Sequence, residues 1–505
     1  MQKVLLSIAL LCVAALTDAQ QTIPLPEHPR PDFERSEWVN LNGEWNFTFN
    51  KQLAEQGIRD KKTADFDLKI QVPFPWGSKL SGVANQKDVN TGWYGRNLSV
   101  PEAWKGKRIF LIIGACEWDT KVWLDGSLLG SHQGGYTPFE FELTDKIRFG
   151  EAQSLTVCAD DTPNDRRLYG KQGYGDARGI WQTVYLEARG EKYIDYVHFS
   201  PNIDRSTVLV EAVLDNIPDK NTQIRVRFRN GEQADFVYAV KGKAAPKKNA
   251  LPNLENRTYR FEIKIDRQHL WTLDDPYLYD MEIALENKDN TIDRVNTYFG
   301  QRKISVTTLP GTDYPYMALN NKPLYLQACL DQSYHPDGFY TFPSDKFMQD
   351  EILLSKRLGL NANRIHIKVE IPRKLYWADR LGLLIMADTP NFWGEPDENA
   401  RKDWEYCLDN QIKRDFNHPS IFSWVNFNET WGLFTTRDNK RQYRSEAQDW
   451  VRAMYHKTKK LDPTRLVEDN SPCNRDHDET DSNTWHVYMP GSKWKVHLDN
   501  EVKNT

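Results

Sequence analysis

Cysteine is scarce in this chain, with six residues in 505. Cys12 falls in an N-terminal apolar run. Cys116, Cys158, Cys329, Cys407 and Cys473 are widely spaced and form no Cys-x-x-Cys pair. That odd, scattered set argues against a zinc site or a disulfide framework and predicts thiols that act mostly as small buried hydrophobes. Charge of one sign is not in excess either: 66 Lys and Arg stand against 71 Asp and Glu, a net charge of −5. Such a balance leaves no electrostatic footprint for nucleic acid or an anionic membrane surface as partner. Beyond the first residues no long apolar run occurs, so no membrane span is predicted. Phosphate-cradling glycine loops, a nucleophilic serine elbow and His-Glu-x-x-His are all missing, and no cofactor or metal is expected. His477, among Asp476, Asp478 and Glu479, reads as part of a solvated acidic loop rather than a cation site.

What the chain does have is aromatic surface. Aromatics are 12% of residues and include 17 Trp, in a sequence whose mean hydropathy is −0.70. Two readings fit equally: indoles that stack on sugar rings, and indoles that fill β-sandwich cores. At the N-terminus Lys3, the apolar run Val4 to Leu16 and the small-residue stretch Thr17-Asp18-Ala19 have the form of a cleaved signal peptide. Residues 1–19 are therefore set aside, and an exported protein, periplasmic or extracellular, is expected.

The length suggests about three domains. From about Pro31 to Arg189, short alternating strands such as Arg108–Ile113, Lys121–Leu124 and Ser154–Cys158 are broken by Gly, Pro, Asn and Asp, as in an antiparallel sandwich. Asp125-Gly126 between two apolar runs signals a hairpin. A second, smaller sandwich is expected over residues 191–301, with Lys241 to Asn249 as an exposed loop. After Gly300 the pattern changes to strands alternating with helices. Strands are predicted at Pro323–Leu330, Asn361–Ile367, Leu383–Asp388, Ile421–Asn428 and Arg465–Glu468. The intervening helices are Ser344–Leu358, Pro372–Leu381, Asp397–Phe416 and Tyr443–Leu461. Asp331, His366, Asp388 and Glu429 fall just after or at strand ends, where a β/α barrel keeps its active site. A full barrel needs about 250 residues and eight strands. Five strands are found here, with a sixth over Thr484–Tyr488, and the tail Asp499–Thr505 has no stop signal. An incomplete barrel, interrupted within a longer protein, is the expectation.

Several motifs occur in order: Leu41-Asn-Gly-Glu-Trp45, Gly92-Trp-Tyr94 with Arg96, Gly134-Gly-Tyr-Thr-Pro-Phe139, Gly179-Ile-Trp181, Asn363-Arg364 with His366, Leu381 to Asp388, and Phe427-Asn-Glu-Thr-Trp-Gly432. Together they resemble glycoside hydrolase family 2, the β-galactosidase, β-glucuronidase and β-mannosidase group. The resemblance implies a jelly-roll sugar-binding domain over residues 20–190 and an immunoglobulin-like β-sandwich over 191–301. A TIM-barrel catalytic domain follows over 302–505, ending before its seventh strand. It also implies an exo-acting, retaining β-glycosidase with a carbohydrate substrate, β-galactoside slightly favoured, and leaves a homo-oligomer open. A noncatalytic carbohydrate-binding protein of the same descent is the alternative.

Glycosidic cleavage by retention needs two carboxyl groups about 5–5.5 Å apart, one of them a proton donor. Glu429 ends an apolar strand between Asn428 and Trp431, a setting that would desolvate a carboxyl; the competing reading is a surface Glu opening a helix. The family's Asn-Glu pair favours Glu429 as the acid/base and Asn428 as a contact to the sugar's 2-hydroxyl. The sequon Asn428-Glu-Thr430 is read as a chance match. Arg364 is divided between orienting the nucleophile and a structural pair with a carboxylate. His366 departs from the family pattern, because one residue rather than two separates it from Arg364 and Ile367-Lys368 follows. His486 and Tyr488 fall where the family places an aromatic hydroxyl near the nucleophile. Asp331, His335, Trp393 and Trp431 are weaker candidates for sugar contacts. Glu468, Glu479 and Glu501 come too early in the strand order to be the nucleophile, which is expected beyond residue 505. Without it the 505-residue form is expected to be inactive.

Overall fold

The computed structural model describes residues 23–502 except 86–88, 165–167, 171–173, 220, 230, 232, 241–253, 289, 439 and 472–475. The signal segment, Cys473 and the loop from Lys241 to Asn249 lie outside these residues. Arg108–Ile113 shows how the first layers form. Ile109, Leu111 and Ile113 face one core, while Phe110 and Ile112 face a second with Tyr185 and Tyr193, so the strand is apolar on both sides. It belongs to a four-stranded sheet that packs on a six-stranded one, with Trp45, Phe47, Trp76 and Tyr94 between them. The hairpin of Asp119–Leu124 with Ser127–Gln133 turns at Asp125 (φ 48°) and Gly126 (φ 79°), as the Asp-Gly signal requires. Trp45, Trp76, Trp181, Trp271, Trp404 and Trp424 are all below 2% exposed, so core filling accounts for these six indoles.

A three-stranded and a four-stranded antiparallel sheet form the second sandwich, closed around Phe199, Val226, Ile283 and Phe299. Buried ion pairs fasten the layers together. The Arg35 guanidinium lies between Glu187 of the first sandwich (3.0 Å) and Asp293 of the second (2.8 Å). Arg302 donates to three main-chain carbonyls, those of Pro419, Thr464 and Ile421, at 3.0–3.1 Å.

The last sheet is parallel. Its order is β1 (Ala328–Asp331), β2 (Ala362–Ile365), β3 (Leu384–Asp388), β4 (Ile421–Asn428) and β5 (Leu466–Ser471). Helices α1 (Asp345–Arg357), α2 (Pro372–Leu381), α3 (Glu398–Asp415) and α4 (Ser445–Leu461) make the crossovers. Ser344 and Asp397 cap α1 and α3 by accepting from backbone N–H groups.

The predicted first strand is corrected. Lys322–Pro323 closes a separate antiparallel sheet through a turn at Asn320 and Asn321, both left-handed, and the parallel strand starts only at Ala328. Proline has no N–H for a continuous ladder. Helix α4 begins two residues late because Tyr443 pairs with Phe434 in a hairpin of Phe434–Arg437 and Lys440–Tyr443 that the sequence pattern does not signal. Strand β5 runs on through Asp469-Asn470-Ser471, whose polarity hid it; these side chains are buried and bonded. Thr484–Tyr488 forms no strand: its polar side chains turn to neighbouring groups instead of its backbone laddering on β5. The sheet therefore has five strands, with β1 and β5 at its edges.

At the foot of the sheet Asp379 joins the second sandwich to the barrel. It accepts from Tyr298 Oη (2.8 Å), Ser420 N (3.0 Å) and His418 Nδ1 (2.5 Å). Burial works against charge on His418, but Asp379 outweighs it and raises the imidazole above 6.5. Its contribution to stability is complete below that value and is lost as pH rises through the raised one. Replacing His418 by Gln is expected to cost about 3 kcal/mol in acid to neutral solution. The gap in urea midpoint between wild type and variant should shrink as the solution is made alkaline; a gap that widens instead would refute the charged pair.

Candidate active site

The C-terminal ends of β2, β3, β4 and β5 converge on one carboxylate. Asp388 at the end of β3 is 0% exposed, and an ionised carboxyl there must be paired. Arg364 of β2 meets it with two near-parallel bonds, Nε to Oδ1 at 3.0 Å and Nη2 to Oδ2 at 2.8 Å. His366 Nδ1 lies 2.7 Å from Oδ2. Burial alone would raise the Asp388 carboxyl, but Arg364 and His366 hold it below the usual carboxylate range.

The other donors of Arg364 fix its neighbours. Nη2 reaches Asn428 Oδ1 at 2.8 Å, and Nη1 reaches Ser471 Oγ and His486 Nε2, each at 3.0 Å. A guanidinium has no acceptor, so Nε2 of His486 accepts and its proton sits on Nδ1. Nδ1 then donates to Glu429 Oε1 at 2.8 Å, while Trp431 Nε1 donates to Oε2 at 3.2 Å. Both oxygens of Glu429 are thereby oriented.

Glu429 itself stands in a left-handed turn. Glu429 and Thr430 have φ of 51° and 58°, a conformation costing non-glycine residues about 1–3 kcal/mol each. The surroundings impose it. Glu429 N donates to Ser471 O (2.8 Å), Thr430 N to Asn470 Oδ1 (3.0 Å) and Trp431 N to Asn428 O (3.0 Å). Arg441 of the hairpin donates to the Glu429 carbonyl. The competing reading, a glutamate opening a helix, is thus replaced by a strand-end turn. Asn428 is 1% exposed, in keeping with the sequon as a chance match.

Not every candidate joins this cluster. Tyr488 is 91% exposed and makes no contact with it. Once Thr484–Tyr488 leaves the strand geometry, His486 turns to Glu429 and Thr484 to Glu468, while Tyr488 faces out. Asp331 is bound by Lys374 Nζ at 2.7 Å and accepts from Ser333 N, a network beneath α1 and α2. His335 sits in the turn to Phe339, edge-on to Phe347. Trp431 lies 5.8 Å from His366 and 5.9 Å from Trp393, ring to ring, so these aromatics form one wall. Glu468 is wholly buried on β5, where Val425 pairs with it and Asn428 pairs with Ser471; its carboxyl accepts from Thr484 Oγ1 and lies near Arg364. Burial pushes its carboxyl up. Glu479 is engaged with His456. His477 is not part of a solvated loop, since its Nδ1 turns inward to Asp469 at 2.7 Å and the loop is half-buried around that carboxylate. Among the described residues no group of three His, Cys, Asp or Glu side chains could hold a metal ion, and no helix is long and apolar enough to cross a membrane.

Three contributors carry no signal in the sequence that assigns their role. Asp388 is visible as a strand end, but its part as shared partner depends on spatial neighbours. Asn391 accepts from Asn428 N at 2.6 Å and has no motif of its own. Lys368, at the family departure, is wholly buried; its Nζ donates to Tyr340 O (3.0 Å) and lies 5.0–5.6 Å from the rings of Phe342, Tyr340 and Trp181.

Family models match the chain in the same order as its layers. Glycosyl hydrolases family 2, sugar binding domain, covers 39–187; glycosyl hydrolases family 2 covers 192–302; and the family's TIM barrel domain covers 313–494. The chain belongs to glycosyl hydrolase family 2. A β-galactosidase of Thermoanaerobacter pseudethanolicus is 26% identical over 78% of this chain and 52% of its own length. A β-glucuronidase of Bacteroides fragilis is 27% identical over 85% of this chain and 60% of its own. The chain thus spans little more than half the length of these curated relatives. Among solved structures, Bacteroides uniformis β-glucuronidase 2 superposes with a TM-score of 0.68 at 24% identity, covering 85% of this chain and 52% of that one. A β-galacturonidase of Eisenbergiella tayi gives 0.66 at 22%, covering 88% and 72%. These likenesses show the fold.

The Asp388 pairing sets a test. Asp388→Asn keeps the shape but leaves the buried Arg364 guanidinium without its counter-charge and alters the acceptor of His366, an expected loss of about 3–5 kcal/mol by urea unfolding at neutral pH. A depressed carboxyl contributes stability that is present above its unfolded value and lost as pH falls through its lowered one. The difference from wild type should therefore narrow in acid.

Proposed function

We propose that this chain carries the acid/base half of a retaining, exo-acting β-glycosidase that releases terminal β-linked sugars. The carrying observation is Glu429 at a parallel-strand end, each oxygen met by one N–H, beside the Arg364–Asn428–Asp388 network. In this reading Glu429 gives its proton to the glycosidic oxygen as the C1–O bond breaks. The resulting carboxylate accepts from His486 and Trp431, the state the geometry favours, and later takes a proton from the attacking water. Asn428, oriented by Arg364, is placed to contact the 2-hydroxyl. The second carboxylate of the retaining scheme is assigned to a residue outside the described ones, because Glu468 is wholly buried and taken up by Thr484 and Ser471.

The curated relatives include enzymes named for galactosides and for glucuronides. Arg364 is bound to Asp388, and Arg441 donates to the Glu429 carbonyl while its Nη2 lies 3.6 Å from Asp476 Oδ2. With both cations already engaged, a neutral sugar is favoured over a uronate, in line with a β-galactoside. Export through a cleaved leader belongs to the same proposal.

The test is turnover of aryl β-galactoside, β-glucuronide and β-mannoside by this chain, alone and within any longer product of its gene. Glu429→Gln is expected to lower kcat about 10²–10⁴-fold on poor leaving groups. It should do far less on activated aryl groups that need no proton. An equal loss on both would remove Glu429 from the acid role. Binding of oligosaccharide with no turnover in any form would favour the noncatalytic reading.

A further inference from the structure

An acid that protonates a leaving oxygen touches that oxygen. A side chain that meets the Glu429 carboxyl therefore borders the place of the departing group, and Trp431 does so through its Nε1 bond to Oε2. Trp393 follows it, with ring centroids 5.9 Å apart. Trp393 is 61% exposed, whereas the six core indoles are below 2%. Leaving much of an indole in water forfeits burial free energy.

Yet this exposed ring is held in place. Its Nε1 donates to Gly170 O at 3.3 Å, and it lies 6.5 Å from the Tyr169 ring. Tyr169 N in turn donates to Asn391 O at 3.0 Å, the residue that also orients Asn428. Gly170 has φ 53°, and a Cβ there would stand 2.5 Å from Ile367 O, so only glycine permits this close approach. A segment of the first sandwich thus braces an open indole at the rim of the barrel site. Across Glu429, the hairpin brings Arg441, stacked 4.3 Å over Phe434, to the same rim.

We propose that Trp393, braced by Tyr169–Gly170, is the stacking platform of a subsite for the leaving group, and that this group is itself a pyranose. A flat apolar face takes the C–H side of a sugar ring, and the polar rim, with Arg441 opposite, suits its hydroxyls. An aryl group shares the flat-face chemistry, and the test separates the two. The inference rests on the glycosidase reading of Glu429.

The experiment compares wild type, Trp393→Ala, Trp393→Phe and Gly170→Ala on three substrates with one released sugar: a disaccharide, an aryl glycoside and a methyl glycoside. Inhibition by the free monosaccharide is measured alongside, and urea midpoints control for folding. Trp393→Ala should lower kcat/KM on the disaccharide by on the order of tenfold more than on the methyl glycoside, with monosaccharide inhibition following the methyl glycoside. Trp393→Phe should recover most of the loss, and Gly170→Ala should reproduce it by displacing the brace. An equal loss on the methyl glycoside, or monosaccharide inhibition weakened as much as the disaccharide, would place Trp393 against the released sugar and overturn the proposal. A loss confined to the aryl glycoside would overturn the pyranose assignment. If neither this chain nor any longer product of its gene turns over any of the three, the glycosidase reading fails separately. Retardation of wild type and Trp393→Ala in a gel containing soluble polysaccharide then decides the platform: retardation lost in the variant supports it, and equal retardation overturns it.

Discussion

The shared carboxylate of Asp388 is the constraint on which the site depends. Fully buried, it must be paired, and Arg364 and His366, at and just past the end of the neighbouring strand, are its partners. Once Arg364 is fixed by two bonds to Asp388, its remaining N–H groups have fixed directions. They orient Asn428, Ser471 and His486, and the tautomer of His486 follows from the donor it faces. The position of Glu429 is therefore an outcome of charge compensation three contacts away. A change at Asp388 propagates through every one of those bonds, which is why a buried ion pair here serves orientation more than stability.

The second requirement is backbone conformation. A strand that continued straight past Asn428 would alternate its side chains and carry Glu429 away from the face that Asn428 shares with Arg364. The left-handed pair Glu429–Thr430 breaks that alternation, and the bonds from Ser471, Asn470 and Arg441 offset its cost. This explains why β5 carries the polar run Asp469-Asn470-Ser471: Asn470 and Ser471 bind the turn, and Asp469 gathers the following loop through His477 and the N–H groups of Asp478 and Glu479. Polar residues inside a buried strand are costly unless each finds a partner, and these do.

The same polar run marks the limit of what is legible in the sequence. Alternation and capping locate both sandwiches and the four crossover helices, because the periodic burial of Ile, Leu and Val is a local property. Strand β5 reads as too short because its last residues look like a loop until β4 is beside them. The hairpin after Glu429 escapes detection because its paired residues, from Phe434 with Tyr443 to Arg437 with Lys440, carry no alternating apolar pattern. Within the site, Glu429, Asn428, Arg364 and His366 are nameable because they ride on strand ends with motif spacing. Tyr488 is misplaced by a period-two pattern where no ladder forms. Asp388 and Asn391 bear no mark in the sequence of what they hold together. An Asp or Asn at a strand end is common, and only geometry distinguishes a hub from a cap.

The motifs of the first sandwich gain a physical meaning from the same geometry. Trp181 of Gly179-Ile-Trp181 donates its indole N–H to Gly135 O, within Gly134–Phe139, and offers its ring to the Lys368 ammonium. Lys368 is two residues from His366, and burial lowers its ammonium while Glu370 opposes that. A cation held among three rings and one carboxylate is stable only while all of them are present, so the sandwich must be seated for that segment of the barrel to keep its shape. Tyr169–Gly170 reaches the next loop, at Asn391 and Trp393. The first sandwich therefore acts on two sides of the Asp388 network at once, beneath His366 and beside Glu429. Of its motif residues Trp181 meets the barrel, while Trp45 and Tyr94 complete the sandwich's own core. That is the physical reason for a sandwich and a barrel to be encoded in one chain: the rim of the site is built from both.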